Sequence, residues 1–180
     1  MGTIIFKDKK IIIRKLSNSD FKKAKKFQDF INSLVEEDAQ ILANKKLTLK
    51  EEINFLKNVL EGIKKKNRVF LVAEYGGKIV GTVGIDLGAW RMNHIGHFGI
   101  AIRNGFRRIG LGRYLMQEII KLAKKELKPK PKIILISLLV TNKPAFALYE
   151  KMGFKKVSQI PNAIQFKNKL VDEIIMYKYF

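Results

Sequence analysis

The stretch that decides the fold is Arg107–Gly112, RRIGLG, set within IAIRNGFRRIGLGRYL (100–115). Two arginines precede two glycines one residue apart, and a helical pattern begins at once. A plain strand-to-helix turn would account for the glycines alone. Three phosphate-binding readings are sharper. A P-loop needs lysine and then a hydroxyl residue directly after its second glycine; Gly105 and Gly110 have the spacing, but Leu111-Gly112 follows. A dinucleotide fingerprint needs a third glycine where Leu115 stands. It also needs an acidic residue about twenty positions on, and Pro129 to Lys132 has none. The remaining reading is a pyrophosphate cradle formed by Arg107, Arg108, Ile109, Gly110, Leu111, Gly112 and Arg113. Glycine lets backbone N–H groups face an anion with no Cβ in the way. The helix start adds about half a positive charge.

Working outward, Ile11–Leu16 reads as a first strand, and Ser17 to Asp20 offers helix-capping residues. Phe21, Ala24, Phe27, Ile31 and Leu34 then recur on one helical face. Thr48 and Glu51 have the spacing of a capping box before a second helix carrying Ile53, Leu56, Leu60 and Ile63. Gly76-Gly77 joins Val69–Tyr75 and Lys78–Leu87 as a hairpin. His97–Ile102 extends the sheet and leads into the glycine loop. The helix after it carries Leu115, Ile119, Leu122 and Leu127 and stops at Lys128 to Pro131. Ile133–Val140 is a continuous apolar strand of the kind buried on both faces. A short helix from Pro144 to Gly153 follows, then strands Phe154–Ile160 and Val171–Tyr179, with Pro161-Asn162 in the turn region between them. The order β-α-α-β-β-β-α-β-α-β-β predicts one mixed α/β sheet over residues 1–180.

With these elements in place, IAIRNGFRRIGLGRYL resembles the coenzyme A-binding segment of the GNAT superfamily of N-acetyltransferases: Arg107, two residues, Gly110, one residue, Gly112. A second match lies downstream. NKPAFALYEKMGF is similar to the family's Asn-x-x-Ala-x-x-Leu-Tyr-x-x-x-Gly-Phe, here Asn142, Ala145, Leu148, Tyr149, Gly153 and Phe154. HIGHFGIAI and the closing VDEIIMYKYF also look like family strands. The resemblance covers the chain from about Val69 onward, and it implies a mixed, mostly antiparallel sheet with a splayed strand pair and flanking helices. It implies an acetyl-CoA-binding part over about 97–154, with acceptor-side helices at about 18–64.

The resemblance also implies roles. Ile100, Ala101 and Ile102 would pair with the pantetheine arm as a strand pairs with a sheet edge. A backbone N–H near Ile100 would face the thioester oxygen. Asn142 would hydrogen-bond the same arm. Tyr149, seven residues after Asn142 and on the same helical face, would protonate the departing thiolate, because a phenol with a pKa of about 10 can donate to a thiolate whose conjugate acid has one of about 8.5. Many members place a glutamate on the strand before the loop as the base. This chain departs there: His97 stands close to that position and could serve as the base. His94, Glu74 and Asp86 are the alternatives, and packing or a wet hydroxyl would equally explain His97 or Tyr149 as structural residues.

Composition narrows the rest. There is no cysteine, which excludes a thiol nucleophile, disulfides and thiolate metal sites, and only two histidines, so no metal is expected. The opening MGTIIFKDKKIIIRKL has short apolar runs broken by lysine and arginine. It does not read as a signal peptide, and no run reaches the about 20 apolar residues of a membrane span. The expectation is a cytoplasmic protein, monomer or homodimer. Thirty-six basic against sixteen acidic residues give a formal charge of +20, which attracts anions. Acetyl transfer to a primary amine, whether amino acid, polyamine, protein N-terminus or lysine, is the leading reading, with longer acyl-CoA as a variant. A nucleic-acid- or ribosome-associated binding protein on the same scaffold is the alternative, and nonspecific nucleic-acid contact fits either. The segment linking the first two helices and the turn near Pro161 should flank the acceptor groove. Val35 to Asp38 forms an acidic cluster suited to a cationic acceptor, and Trp90-Arg91-Met92 could be part of the acceptor wall or a hydrophobic plug.

Overall fold

A computed structural model describes residues 2–180. The β-branched and aromatic runs form eight strands: β1 Gly2–Phe6, β2 Lys9–Lys15, β3 Arg68–Tyr75, β4 Lys78–Leu87, β5 Ile95–Ile102, β6 Ile133–Leu139, β7 Lys155–Phe166 and β8 Lys169–Tyr179. Helices are α1 Ala24–Glu36, α2 Leu49–Lys64, α3 Leu111–Glu126 and α4 Lys143–Lys151. The strands make one sheet in the order β1-β2-β3-β4-β5-β6-β8-β7. Neighbouring strands are antiparallel except β5 and β6, which run parallel. This is the mixed, mostly antiparallel sheet the sequence predicts.

Each face of the sheet has its own core. Ile11, Ile13, Leu71 and Val83 pack with Leu115, Met116 and Ile119 of α3 and with Tyr149 of α4. On the other face Phe70 and Val72 pack with Phe27, Phe30 and Leu34 of α1 and Leu56 and Val59 of α2. The capping box at Thr48 forms: the Thr48 hydroxyl accepts from the Glu51 N–H, and the Glu51 carboxylate accepts from the Thr48 N–H at 2.7 Å.

Four details differ from the sequence reading. An additional strand, β1, pairs with β2 through a turn in which Lys7 has φ 55°. The first helix opens as a 3-10 turn at Asn18–Lys23, where the buried Asp20 carboxylate receives Arg14 at 2.7 and 2.8 Å and the Ser17 N–H at 2.9 Å. Strand β6 is not buried on both faces. Ile134, Ile136 and Leu138 are buried on one face, while on the other Leu139 is buried but Leu135 is only partly covered and Ser137 is exposed. Pro161-Asn162 is not the final turn. It lies inside β7, an edge strand, at a bulge between Ile160 and Ile164, where a missing N–H costs no ladder bond. Lys167 and Asn168, at φ 51° and 59°, make the hairpin turn instead. Among the described residues no helix is long and apolar enough to cross a membrane.

Candidate active site

Strands β5 and β6 stay in register only through Ile95–Ile133, Gly96–Ile134 and His97–Leu135. Beyond these pairs they part, and the free flank of β5 carries Ile100, Ala101 and Ile102. A cleft of about 580 Å³ opens there. Its walls are Ile100–Ile102, the loop residues Arg107, Arg108, Gly110, Gly112 and Arg113, the first turns of α4 with Asn142, and Tyr149.

The floor of the loop is a helix start left open. Gly110 is the N-cap of α3 at φ 94°, and no side chain caps the helix. The first N–H groups of a helix have no acceptor within it, so those of Leu111, Gly112 and Arg113 are available to an anion. A Cβ on Gly112 would lie 3.3 Å from Ile102 Cδ1 and 3.4 Å from Leu148 Cδ2. The two glycines therefore have different reasons: Gly110 for a left-handed backbone, Gly112 for close approach of α3 to β5 and α4.

The predicted cradle residues do not all act alike. Leu111 is buried in the core and Ile109 packs against it, so only their backbones can serve a ligand. Arg108 and Arg113 line the cleft. Arg107 also lines it but is tied down: its Nε donates to the Ile102 carbonyl at 2.7 Å, and its guanidinium pairs with Glu37. Asn142 caps α4, its Oδ1 accepting from the Ala145 N–H at 3.3 Å.

Tyr149 is 6% exposed, and burial pushes its phenol well above the usual range. The rings of Phe98 and Phe154 hold it, at 6.3 and 6.2 Å between centroids. His97 does not line the cleft. It is exposed, on the sheet face that carries α1 and α2, at the last paired position before the strands part. Of the alternatives for a base, Glu74 pairs with Arg14 at 2.7 Å, Asp86 pairs with Arg68, and His94 lies in the connection before β5.

The segment between α1 and α2, which the sequence places beside the acceptor groove, also reaches the donor cleft. Glu37, Asp38, Ala39, Gln40 and Ile41 form one wall of the cleft. The acidic cluster, expected to suit a cationic acceptor, has cationic partners within the chain: Glu36 pairs with Lys46 at 2.7 Å, Glu37 with Arg107, and Asp38 with Lys167 at 3.1 Å, while Glu36 and Asp38 stay exposed. It straps the α1–α2 connection to the glycine loop and to the β7–β8 turn. The pairing itself left no trace in the sequence beyond three consecutive acids, Glu36, Glu37 and Asp38, in a basic chain.

The sequence profile of the acetyltransferase (GNAT) family matches residues 30–154, which span the strap, the splayed strands, the loop and α4. The chain belongs to the GNAT acetyltransferase family. It is an acyl-CoA-dependent N-acetyltransferase, with acetyl-CoA as acetyl donor. An N-alpha-acetyltransferase of Sulfurisphaera tokodaii is 32% identical over 149 residues, covering 77% of this chain and 87% of the relative. Another from Saccharolobus solfataricus is 31% identical over 136 residues, covering 70% and 79%. Among solved structures, a GNAT-family acetyltransferase from Streptococcus pneumoniae superposes with TM-score 0.81 at 26% identity, covering 94% of this chain and 99% of that one. A Salmonella typhimurium protein solved with its cofactor acetyl-CoA shares the fold, with TM-score 0.76 at 18% identity over 94% of this acetyltransferase and 93% of that chain.

Proposed function

We propose that this acetyltransferase moves the acetyl group of acetyl-CoA to the α-amino group of a protein N-terminus, by direct attack of the amine on the thioester. The parting of β5 from β6 after His97 carries the donor half of this reading, because it leaves unpaired backbone on β5 beside an uncapped helix start. The acceptor half rests on the two N-alpha-acetyltransferase relatives, each more than 30% identical.

In this reading the N–H groups of Leu111, Gly112 and Arg113 hold the pyrophosphate, with Arg108 and Arg113 adding charge. Ile100, Ala101 and Ile102 pair with the pantetheine amides, and Asn142, after capping α4 through Oδ1, offers its Nδ2 to the same arm. A backbone N–H near Ile100 polarises the thioester carbonyl. Tyr149 stays protonated at working pH and donates to the departing sulfur. Burial raises the basicity of the thiolate as well as that of the phenolate, so the donation is not lost to the phenol's upward shift. His97 takes the amine proton from the face of the sheet that carries α1 and α2. Residues 18–64 then form the acceptor side and 97–154 the donor side of one domain, acting in the cytoplasm where both substrates are made.

The test pairs two peptides of one sequence containing a lysine, one with a free N-terminus and one with the N-terminus already acetylated. The reading expects acetyl transfer to the first and none to the second. Equal transfer to both would place the acceptor at lysine and overturn it.

A further inference from the structure

Three chain connections meet at the end of the sheet where β3, β5 and β6 begin, remote from the cleft at the other end of β5 and β6. Backbone hydrogen bonds hold them side by side. The Lys128 N–H donates to the Lys66 carbonyl at 2.8 Å, and the Lys132 N–H donates to the His94 carbonyl at 2.7 Å. Two features coincide there. Trp90 is 90% exposed, at φ 49°. It is presented by a built turn, in which the Met92 N–H donates to the Ala89 carbonyl at 2.9 Å and a Cβ on Gly88 would lie 2.6 Å from the Met92 carbonyl. Beside it, Lys64, Lys65, Lys66, Lys128, Lys130 and Lys132 are all exposed.

The carboxylates at this end are mostly spoken for. Asp86 pairs with Arg68 and Glu126 with Lys15; Glu61 stands in the last turn of α2. Lys64 has an ordinary reason to be there, since a cation in the last turn complements the helix dipole. Lys128, Lys130 and Lys132 lie in an irregular connection and have no such reason. Next to them Asn58, Glu61, Asn67 and Arg68 border a polar depression of about 190 Å³.

We propose that this end of the molecule binds single-stranded RNA, with Trp90 stacking on a base and the lysines of the 64–66 and 128–132 connections holding phosphates. An exposed aromatic ring amid cations is the arrangement that binds single strands with little sequence preference. The amide- and carboxylate-lined depression suits the polar edge of an unstacked base. It does not suit an acyl chain, which argues for RNA over an anionic membrane surface. The surface lies away from the donor cleft, so RNA binding and acetyl transfer are separable.

Trp90 is the single tryptophan of the chain, so its fluorescence reports on this surface alone. The probe is an end-labelled oligouridylate of about 12 nucleotides, read by Trp90 quenching and by anisotropy at about 0.1 M salt. The proposal expects saturable binding with quenching, and an affinity that falls steeply with salt. Trp90→Ala should weaken binding about tenfold, and the triple variant Lys128→Glu, Lys130→Glu, Lys132→Glu by tenfold or more. The triple lysine variant should acetylate a free peptide at the wild-type rate, which also shows that it folds, and Trp90→Ala should keep the wild-type melting temperature. Binding without Trp90 quenching, binding unchanged in both variants, no binding at this salt, or tighter binding to phosphatidylglycerol vesicles than to RNA would each overturn it.

Discussion

Tyr149 and Glu52 are both pushed upward in pKa by burial, with opposite consequences. Tyr149 is neutral whether folded or unfolded near pH 7, so its burial costs little and keeps a proton ready for the sulfur. Tyr149→Phe should lower turnover by about 100-fold or more while leaving the dissociation constant for acetyl-CoA within about twofold. Steady-state kinetics beside a binding isotherm separate the two. Glu52 is a carboxylic acid 3% exposed on α2, with its pKa raised to about 7 by desolvation. Below the ordinary glutamate value it is protonated folded or unfolded. As pH rises from there toward 7 the unfolded chain releases its proton first, and stability falls across that window. Glu52→Gln keeps the shape of the protonated form, so it should raise the melting temperature by a few degrees at pH 8 and leave it unchanged at pH 4. No gain at pH 8 would show that Glu52 is solvated. Nothing in the sequence marked this glutamate, because a capping-box helix start normally carries exposed acids.

At the scale of elements, the glycine loop and α4 were legible in the sequence because their residues are constrained one by one. Gly110 must turn left-handed, Gly112 must let α3 approach β5, and Asn142 must cap α4. Gly112→Val would press on Ile102 and Leu148, so it should weaken acetyl-CoA binding by tenfold or more through a shifted helix start, read by titration. The strap was not legible, because ion pairs between distant segments leave no periodic trace. Its pairs are partly exposed, with Glu37 and Arg107 side chains at 22% and 42%, and should add under about 1 kcal/mol to stability. Their effect belongs to binding. Glu37→Gln frees the Arg107 guanidinium and should raise the KM for acetyl-CoA several-fold with little change in melting temperature. If melting falls and KM does not, the strap is only structural. The final turn was misplaced for a related reason: Pro161-Asn162 is turn chemistry, but an edge strand tolerates it at a bulge, and Lys167-Asn168 closes the hairpin.

Across the whole molecule, two periodicities were enough to predict the mixed sheet, and the resemblance carried by the motifs at 107–112 and 142–154 implied the splayed strand pair at the cleft. The extra strand β1 escaped because a single five-residue run at the start of a chain has no partner visible in the sequence. The +20 charge was legible as a quantity but not as a pattern. Only the fold brings Lys66, Lys128 and Lys132 to one end with Trp90, and pairs Glu36, Glu37 and Asp38 with cations from distant segments. The most direct test of the whole account is calorimetric titration of acetyl-CoA into the wild type at moderate salt, with NAD as control and Gly112→Val in parallel. The account predicts saturable binding of acetyl-CoA, silence with NAD, and a loss of affinity of tenfold or more in the variant. Equal heats for acetyl-CoA and NAD, or an unaltered affinity in Gly112→Val, would contradict the assignment of residues 107–113 as the coenzyme A cradle.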